Sequence, residues 1–431
     1  MQITRPKRDT VGICYVGLGN RGMRVLTEHL MRMTDVRIIS VCDLEKRRLE
    51  KCRESFASAE LPLPLFTTDY SSAIKAEGVD AVVVMTAWDT HSAIALESLR
   101  AGKYTAIEVG CAYELSECFE LIRAYEEQGA PLMMLENCCY GGRELTALRM
   151  AREGIFGEIL HAEGAYRHNL IERELVRDGV PHGYRAEEYR YRNCDNYPTH
   201  ALGPISKMLN INRGNRILTL SSFASASRSL GCGCGEGGTR VGFKQGDILT
   251  TVLRCAGGQT VTLTLDTTLP RPYYSRGLSV RGTAGALVEE GGGASFYLSG
   301  MAEPCALNEE DMLRKYAHPL YSENMESFEE GWHRENIDWL VLRAFIEAVK
   351  AGTDTPIDAY DTATWMAVGT LSEKSVALGG APVEFPDLTR GAWMRREAPP
   401  VSKYSLDYII KDDKNKIYQY KGDGYDKKRK A

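Results

Sequence analysis

The sequence predicts a two-domain α/β protein, in which an N-terminal doubly wound parallel sheet of the Rossmann type precedes an α+β domain with a large, mostly antiparallel, open-faced sheet. In the first third of the chain, short apolar runs alternate with helical patterns, as in a parallel sheet covered by helices. Further on, strand-like segments follow one another, which favours antiparallel pairing. A chain of 431 residues also exceeds what one hydrophobic core usually organises.

The Rossmann domain is expected to span residues 1–137. The patterns between its short apolar runs have the length of helices that connect parallel strands in a right-handed crossover. The strand candidates are Val11–Val16, Val36–Val41, Ala81–Met85, Tyr104–Val109 and Leu132–Asn137, and the helix candidates are Met23–Met33, His91–Ala101 and Leu115–Gln128.

The second domain is expected to span residues 138–403. Two of its helical patterns, Glu335–Ala351 and Tyr360–Leu378, are predicted to pack back on the Rossmann domain. Residues 404–431 are rich in Lys, Asp and Tyr, which predicts a charged tail that is flexible or ordered only by a partner. The other candidates are a helix at Arg143–Glu153 and strands at Ile159–Arg167, Ile217–Phe223, Ile248–Leu253, Val261–Asp266 and Leu278–Arg281.

Composition excludes several classes of partner. Hydrophobic residues make up 43% and charged residues 26%, and a net charge of -5 does not favour nucleic acid or an anionic membrane. No apolar run approaches the roughly 20 residues that span a bilayer, and Met1–Thr10 lacks a following signal-peptide core, so a cytoplasmic location is expected. The twelve cysteines, including Cys138-Cys139 and Cys232-Gly-Cys234, lack paired metal-ligand spacings, which predicts reduced thiols and no metal site.

A glycine-rich turn predicts a dinucleotide site. Gly17-Leu18-Gly19-Asn20-Arg21-Gly22 follows the first strand and opens the first helix, so a pyrophosphate can reach the helix N-terminus. Asp43 ends the second strand about 20 residues later, where a carboxylate accepts hydrogen bonds from the adenosine ribose hydroxyls. NAD is therefore predicted, with NADP as the alternative because Arg47 and Arg48 are adjacent.

The segment Thr86–His91 follows the strand candidate Ala81–Met85, at the carboxyl edge where open α/β sheets bind ligands. Its polar residues indicate an exposed loop, so Trp88 is predicted to cover the cofactor; a packed core indole is the alternative. His91 is grouped with the cofactor-binding residues, in a capping or packing role.

Together, the glycine-rich turn, Thr86–His91 followed by Ala101-Gly102-Lys103, and Glu108 resemble the Gfo/Idh/MocA family of NAD(P)-dependent sugar oxidoreductases. The resemblance extends over about residues 10–400. It implies that Glu108 lies at the cofactor site. Members commonly carry Glu-Lys-Pro here, with the lysine near the reacting sugar, whereas this chain reads Glu108-Val109-Gly110. The missing lysine argues against the commonest dehydrogenase chemistry of the family.

Further segments are similar to glycoside hydrolase family 109, the NAD-dependent α-N-acetylgalactosaminidases. Two segments depart from that family's pattern: Gly331–Asp338 stands where members carry Gly-His-Gly-Gly-Met-Asp, and Gly231–Gly238 forms an unusual glycine-rich stretch. The segments that carry the resemblance are Glu136–Tyr140, Gly164–His168, Asn196–Pro204, Asn210–Arg213, Pro270–Arg276 and Phe385–Asp387.

This resemblance implies glycoside hydrolysis without the usual pair of carboxylates. Tightly bound NAD oxidises carbon 3 of the sugar, and the resulting ketone makes the proton on carbon 2 acidic. Elimination then expels the aglycone from carbon 1, water adds to the unsaturated sugar, and re-reduction restores the cofactor. The implied partner is a small-molecule glycoside or sugar, and NAD is recycled.

Such a cycle needs a base at the carbon 3 hydroxyl, a base at carbon 2 and a proton donor for the leaving group. In Tyr197-Pro-Thr-His200, the three-residue spacing on an incipient helix places both side chains on one face, where they can address one ligand. Packing by Tyr197 and capping by His200 are the alternatives. Tyr166, at a strand end, is the candidate base at carbon 2, or else a buried, hydrogen-bonded tyrosine.

Two further positions complete the candidate site. Glu136 ends the last Rossmann strand, where it can hold a sugar hydroxyl or the nicotinamide ribose, or cap a helix. Tyr274 is preferred over the adjacent Tyr273 as the remaining catalytic candidate.

Two other functions remain open at this point: a net sugar or polyol dehydrogenase, and a non-catalytic NAD-dependent sugar sensor, since fold alone does not separate them. The Tyr197 and His200 pair argues against a sensor. A broad sheet with one face uncovered by helices predicts a homodimer or a dimer of dimers.

Overall fold

The structure is a computed structural model, and it describes residues 3–177, 180–230, 242–300, 307–320, 334–397 and 404–406. Its N-terminal part contains a six-stranded parallel sheet with the strand order 3-2-1-4-5-6, which confirms the predicted doubly wound fold. The strands are β1 (Val11–Val16), β2 (Val36–Cys42), β3 (Leu65–Thr67), β4 (Ala81–Val84), β5 (Tyr104–Ile107) and β6 (Leu132–Met134).

Helices connect these strands: α1 (Asn20–Glu28), α2 (Lys46–Ser58), α3 (Tyr70–Ile74), α4 (Trp88–Arg100) and α5 (Leu115–Gln128). The strand order reverses between β1 and β4, and ligands of such sheets bind outside the carboxyl ends of the strands at that point. The glycine-rich turn after β1 and the segment after β4 therefore border one crevice.

Three elements, β3, α2 and α3, have no strong hydrophobic pattern in the sequence and were not predicted. Strand β3 has three residues at the sheet edge, α3 has five residues, and α2 buries only Leu49, Cys52 and Phe56 in an otherwise charged helix. The strand candidate Leu132–Asn137 is too long, because β6 ends at Met134 and a short 3₁₀ helix follows at Asn137–Tyr140.

The second sheet has eight strands in the order 15-14-13-7-12-11-10-16, and it is antiparallel except for the parallel pair of strands 7 and 12. This agrees with the predicted open-faced, mostly antiparallel sheet. Its strands, with a separate two-stranded ribbon numbered 8 and 9, are β7 (Ile159–Arg167), β8 (Val176–Arg177), β9 (Val180–Pro181), β10 (Ile217–Ala224), β11 (Ile248–Cys255), β12 (Thr260–Asp266), β13 (Ser279–Gly282), β14 (Gly285–Glu290), β15 (Gly293–Leu298) and β16 (Val383–Glu384).

The helices of this part of the chain are α6 (Gly142–Arg152), α7 (Gly183–Tyr191), α8 (Thr199–Met208), α9 (Glu309–Lys315), α10 (Arg334–Ala351) and α11 (Ala359–Ala377). Of these, α8 and α11 cover one face of the sheet, against β7 and β10, and α9 contacts β15. Contact between α8 and β7 is so close that a Cβ on Gly164 would lie 2.8 Å from the Cβ of Ala201. The opposite face presents partly or fully exposed side chains such as Phe223, Thr250 and Thr262. Homodimerisation through that face stays a prediction.

Helices α10 and α11 pack against the Rossmann domain. The amide of Met134 in β6 donates to the Thr362 hydroxyl of α11 (3.0 Å). On α10, Arg343 and Lys350 both bind the Asp35 carboxylate, with N–O distances of 2.8 and 2.7 Å. These contacts hold α10 and α11 against the parallel sheet.

The predicted tail begins too early at residue 404. Tyr404, Ser405 and Leu406 are buried, with the Tyr404 ring 5.8 Å from that of Trp339 and the Leu406 carbonyl 3.3 Å from Nε2 of His318. Aromatic and aliphatic side chains in this short stretch explain why it packs while its composition resembles a tail. Residues 407–431 lie outside the described part of the chain.

No helix in the described ranges is both long enough and apolar enough to cross a membrane. The nine cysteines in those ranges are buried thiols, and burial raises the pKa of Cys14 and Cys42 to about 12, so they are poor nucleophiles. Cys232, Cys234 and the stretch Gly231–Gly238 lie outside the described residues.

Candidate active site

The glycine-rich turn leaves space at the N-terminus of α1. Gly17 has a φ of +103°, and a Cβ there would lie 2.6 Å from the Met85 carbonyl, so a tight turn against β4 requires glycine. A Cβ on Gly22 would overlap the Gly17 carbonyl oxygen, whereas one on Gly19 would meet no atom within 4 Å. No side chain caps α1 at Gly19. The open approach and uncapped amides fit a dinucleotide pyrophosphate.

Asp43 lies beside this turn, at the end of β2. Its carboxylate accepts hydrogen bonds from the amides of Leu18 (2.6 Å) and Glu45 (2.8 Å), and Nη1 of Arg48 lies 3.6 Å away. These hydrogen bonds from backbone amides fix the carboxylate at the edge of the crevice, where an adenosine ribose is expected. Arg48 partly balances its charge, which is the local basis of the NADP alternative.

Trp88 is not on an exposed loop, and that interpretation of Thr86–His91 is wrong. Trp88 is the first residue of α4 and only 4% exposed, and its indole Nε1 donates to the Val109 carbonyl (3.0 Å). Its ring lies 5.7 Å from that of Tyr197, so the start of α4 contacts the segment that leads into α8. His91 is buried with Nε2 3.0 Å from the Thr86 carbonyl, so it supports the turn from behind by packing.

Arg21 and Glu108, both predicted at the cofactor, form an ion pair. Arg21 also binds a second carboxylate, that of Asp338. Nε of Arg21 lies 3.1 Å from Oε2 of Glu108, and both Nη atoms bind the carboxylate of Asp338 in α10, one of them at 2.7 Å. Asn137 donates to the same carboxylate (2.5 Å). Sequence reasoning did not identify Asp338 or Asn137 as site residues.

Four predicted catalytic residues come together in one cluster of rings. The ring of Tyr166 stacks on that of Tyr197 with centroids 4.4 Å apart, and the His200 ring lies 4.8 Å from Tyr197. Tyr274 lies 6.1 Å from Tyr166 and 5.4 Å from His168. Residues from β7, from the start of α8 and from the loop before β13 thus face one point beside Trp88.

Glu136 holds the imidazole of this cluster. Its Oε1 lies 2.7 Å from Nδ1 of His200 and also accepts the Cys138 amide (3.0 Å), so capping and site roles coexist. Burial raises the pKa of Glu136, but the charge of His200 and the hydrogen bonds from His200 and the Cys138 amide outweigh it and lower the pKa. A carboxylate only accepts hydrogen bonds, so Nδ1 of His200 carries a proton in this contact.

A buried arginine that the sequence did not point to lies against this cluster. The Arg185 guanidinium carbon lies 4.9 Å from the centre of the Tyr197 ring and 5.2 Å from that of Trp88, and Nη1 lies 2.7 Å from Glu174. Burial raises the pKa of Tyr197 well above its usual value, with Tyr166 adding to the rise and Arg185 opposing it. Tyr197 is therefore held as the neutral phenol, whose hydroxyl can donate a hydrogen bond.

The two adjacent tyrosines are similarly exposed, at 41% for Tyr273 and 39% for Tyr274. Only for Tyr274 do ring contacts with the cluster occur among the described residues, and the Arg276 guanidinium carbon lies 5.9 Å from its ring centre. Arg276 is in turn bound by buried Glu144 (2.5 Å). This geometry supports the choice of Tyr274, at the solvent side of the cluster.

Ligand-type atoms of Glu136, Cys138 and His200 all lie within 4.8 Å of one another. The Glu136 carboxylate already binds the His200 imidazole, so a hydrogen-bonded pair explains why two of these three residues lie close together. The expectation that the protein uses no metal stays a prediction.

The fold and the crevice define the class of protein. Residues 11–136 match the oxidoreductase family with an NAD-binding Rossmann fold. Levoglucosan dehydrogenase in complex with NADH and levoglucosan has the same fold, with a TM-score of 0.67 and 16% identity over 88% of this chain and 100% of that chain. An NAD binding oxidoreductase from Klebsiella pneumoniae gives a TM-score of 0.69 with 15% identity and the same coverage. The chain has the architecture of the Gfo/Idh/MocA oxidoreductases, with an NAD-binding Rossmann domain.

The second domain specifies the family. Residues 140–395 match the C-terminal domain of glycosyl hydrolase 109. The α-N-acetylgalactosaminidase of Tannerella forsythia is 36% identical over 416 residues, which cover 89% of this chain and 87% of that protein. A glycosyl hydrolase family 109 protein of Stenotrophomonas maltophilia is 34% identical over 90% of this chain and 91% of its own length. The chain belongs to glycosyl hydrolase family 109, and it is an enzyme.

Proposed function

We propose that the protein is an NAD-dependent glycoside hydrolase of the α-N-acetylgalactosaminidase type, which cleaves by transient oxidation at sugar carbon 3. The observation that carries the proposal is the cluster of Tyr166, Tyr197 and His200 beside Trp88, at the edge of the dinucleotide crevice. The named relative in Tannerella forsythia supports the substrate class. Val109, where related dehydrogenases carry a lysine, disfavours net oxidation of the sugar.

The crevice provides the means to hold the cofactor. When bound, NAD supplies a reversible electron-pair acceptor for carbon 3 of the sugar. The uncapped amides at the start of α1 would hold its pyrophosphate, and Asp43 would accept hydrogen bonds from the adenosine ribose. Because hydrolysis consumes no cofactor, these residues would keep NAD bound from one turnover to the next.

The cluster provides the acid and the bases. Glu136 fixes the Nδ1 proton of His200, which leaves Nε2 to accept the proton of the carbon 3 hydroxyl. Tyr197 keeps its proton and can donate it to the departing oxygen. Arg185 interacts electrostatically with both Tyr166 and Tyr197, and its charge favours Tyr166 as the base at carbon 2.

The proposal predicts that the purified enzyme cleaves a chromogenic N-acetyl-α-galactosaminide without added NAD. Cofactor carried through purification should suffice, because hydrolysis consumes none. Absorbance of the released aglycone measures the rate. Steady formation of NADH from a free sugar, without cleavage of any glycoside, would instead identify a dehydrogenase, and neither activity in a cofactor-loaded protein would favour the sensor.

A second prediction concerns cofactor choice. The Asp43 charge should repel the 2′-phosphate of NADP, so NAD should bind at least about 10-fold more tightly, a difference of about 1.4 kcal/mol. Isothermal titration of cofactor-free protein measures both affinities. The Asp43→Ala variant should narrow the difference between the NAD and NADP affinities. The Arg48→Ala variant should bind NADP more weakly than the unmodified protein. Equal affinities in the unmodified protein would show that Asp43 does not face the ribose.

A further inference from the structure

Asp338 in α10 connects the glycine-rich turn to the C-terminal domain. Both Nη atoms of Arg21 bind its two carboxylate oxygens, Asn137 donates to it at 2.5 Å, and Arg24 lies 3.8 Å away. Its side chain is only 1% exposed. Burial raises the pKa of Asp338, but the hydrogen bonds and the charge of Arg21 outweigh burial. The net pKa is lowered, so the group is an anion.

Arg21 is the partner that matters for the cofactor. It is the second residue of α1, directly after the uncapped turn at Gly19 where the pyrophosphate is expected. Its Nε is held by Glu108 and its two Nη atoms by Asp338, so the planar guanidinium has one fixed orientation. A positive group that is already oriented loses little conformational entropy when an anion binds beside it.

The Asp338 carboxylate lies behind Arg21. It is only 1% exposed, both Nη atoms of Arg21 bind its two oxygens, and together with Arg21 and Glu108 it lines a cavity of only about 10 Å³, which has room for about one water molecule. Asp338 therefore acts on a bound cofactor through the side chains that it holds, Arg21 and Asn137.

We propose that Asp338 is a positioning residue, which orients Arg21 at the pyrophosphate and thereby slows the release of NAD. The inference rests on the proposed use of a retained cofactor. It explains why an acidic residue of the segment Gly331–Asp338, remote in sequence from the Rossmann domain, is buried against the glycine-rich turn.

The test compares two acidic residues that bind arginine between the same parts of the molecule. In Asp338→Asn the shape is kept and the charge lost, and NADH should dissociate about 10-fold faster, because Arg21 loses the charge-assisted bidentate pair that fixes its orientation. Asp35→Asn is the matched control, because Asp35 also binds α10 through Arg343 and Lys350 but lies away from the turn. Its NADH dissociation rate should equal that of the unmodified protein.

Stopped-flow fluorescence of bound NADH measures dissociation, and melting of the cofactor-free proteins measures the structural contribution of each pair. Asp338→Glu, which keeps the charge, should recover part of the slow release. An unchanged rate in Asp338→Asn, or equal acceleration in Asp35→Asn, would overturn the proposal. The assay needs no glycoside, so a protein that binds NADH but cleaves no glycoside would refute the hydrolase function while leaving the Asp338 effect measurable.

Discussion

Tyr197→Phe and His200→Ala should each lower glycoside turnover by about 100- to 10,000-fold, the usual contribution of a positioned acid or base, while NAD remains bound. Tyr197→Phe removes the only proton that the phenol can donate. His200→Ala removes the Nε2 base and leaves the Glu136 carboxylate buried without its imidazole partner. The rate of aglycone release measures turnover, and the absorbance of protein after desalting measures retained cofactor.

Tyr104→Phe is a matched control for the loss of a buried tyrosine hydroxyl. Tyr104 is 1% exposed in β5, and its hydroxyl donates to the Thr353 carbonyl (3.0 Å), outside the ring cluster. A comparable change in melting temperature without a change in turnover is expected for this variant. If Tyr197→Phe and His200→Ala turned over at the rate of the unmodified enzyme, the pair would have no part in the reaction. Loss of fold or of cofactor would assign it a structural role.

The dinucleotide site could be predicted from the sequence because its signal is local. The turn Gly17–Gly22 requires glycine at its first and last positions, and Asp43 follows at the end of the next strand. The residues of the ring cluster could also be named, since each lies in a short motif. Their contacts could not, because Tyr166, Tyr197 and Tyr274 come from separate elements that only the tertiary fold brings together.

Charged groups that join distant parts of the chain had no comparable signal. Arg21 and Asp338 are 317 residues apart, and a single buried acid on a helix resembles any other acid in the sequence. Arg185 lies in a stretch with several other charged and aromatic residues, so its burial against Trp88 is not visible in the pattern. The polar residues of Thr86–His91 wrongly indicated an exposed loop. They surround the start of α4, where the indole of Trp88 is buried.

The redox cycle itself should be visible in the isotopes of the released sugar. A hydrolase that only protonates the glycosidic oxygen leaves the hydrogens on the ring carbons in place. Elimination must instead break the bond between carbon 2 and its hydrogen. Hydrolysis in deuterated water should therefore place deuterium at carbon 2, since the phenol of the abstracting base, proposed as Tyr166, exchanges its proton with solvent. Mass spectrometry and proton NMR of the product measure the incorporation.

Carbon 3 should behave in the opposite way, and it provides the decisive comparison. Deuterium placed there leaves and returns within one active site, so the label should survive turnover. It should also slow turnover if transfer of the carbon 3 hydrogen limits the rate. A glycoside methylated on the carbon 3 hydroxyl should be inert, because His200 finds no proton to remove and no ketone can form. Such a substrate must still bind, which competition with the unmodified glycoside would show. Rapid cleavage of the blocked glycoside would refute the redox mechanism, and Tyr197, His200 and Glu136 would then act as ordinary acid–base groups beside a structural NAD.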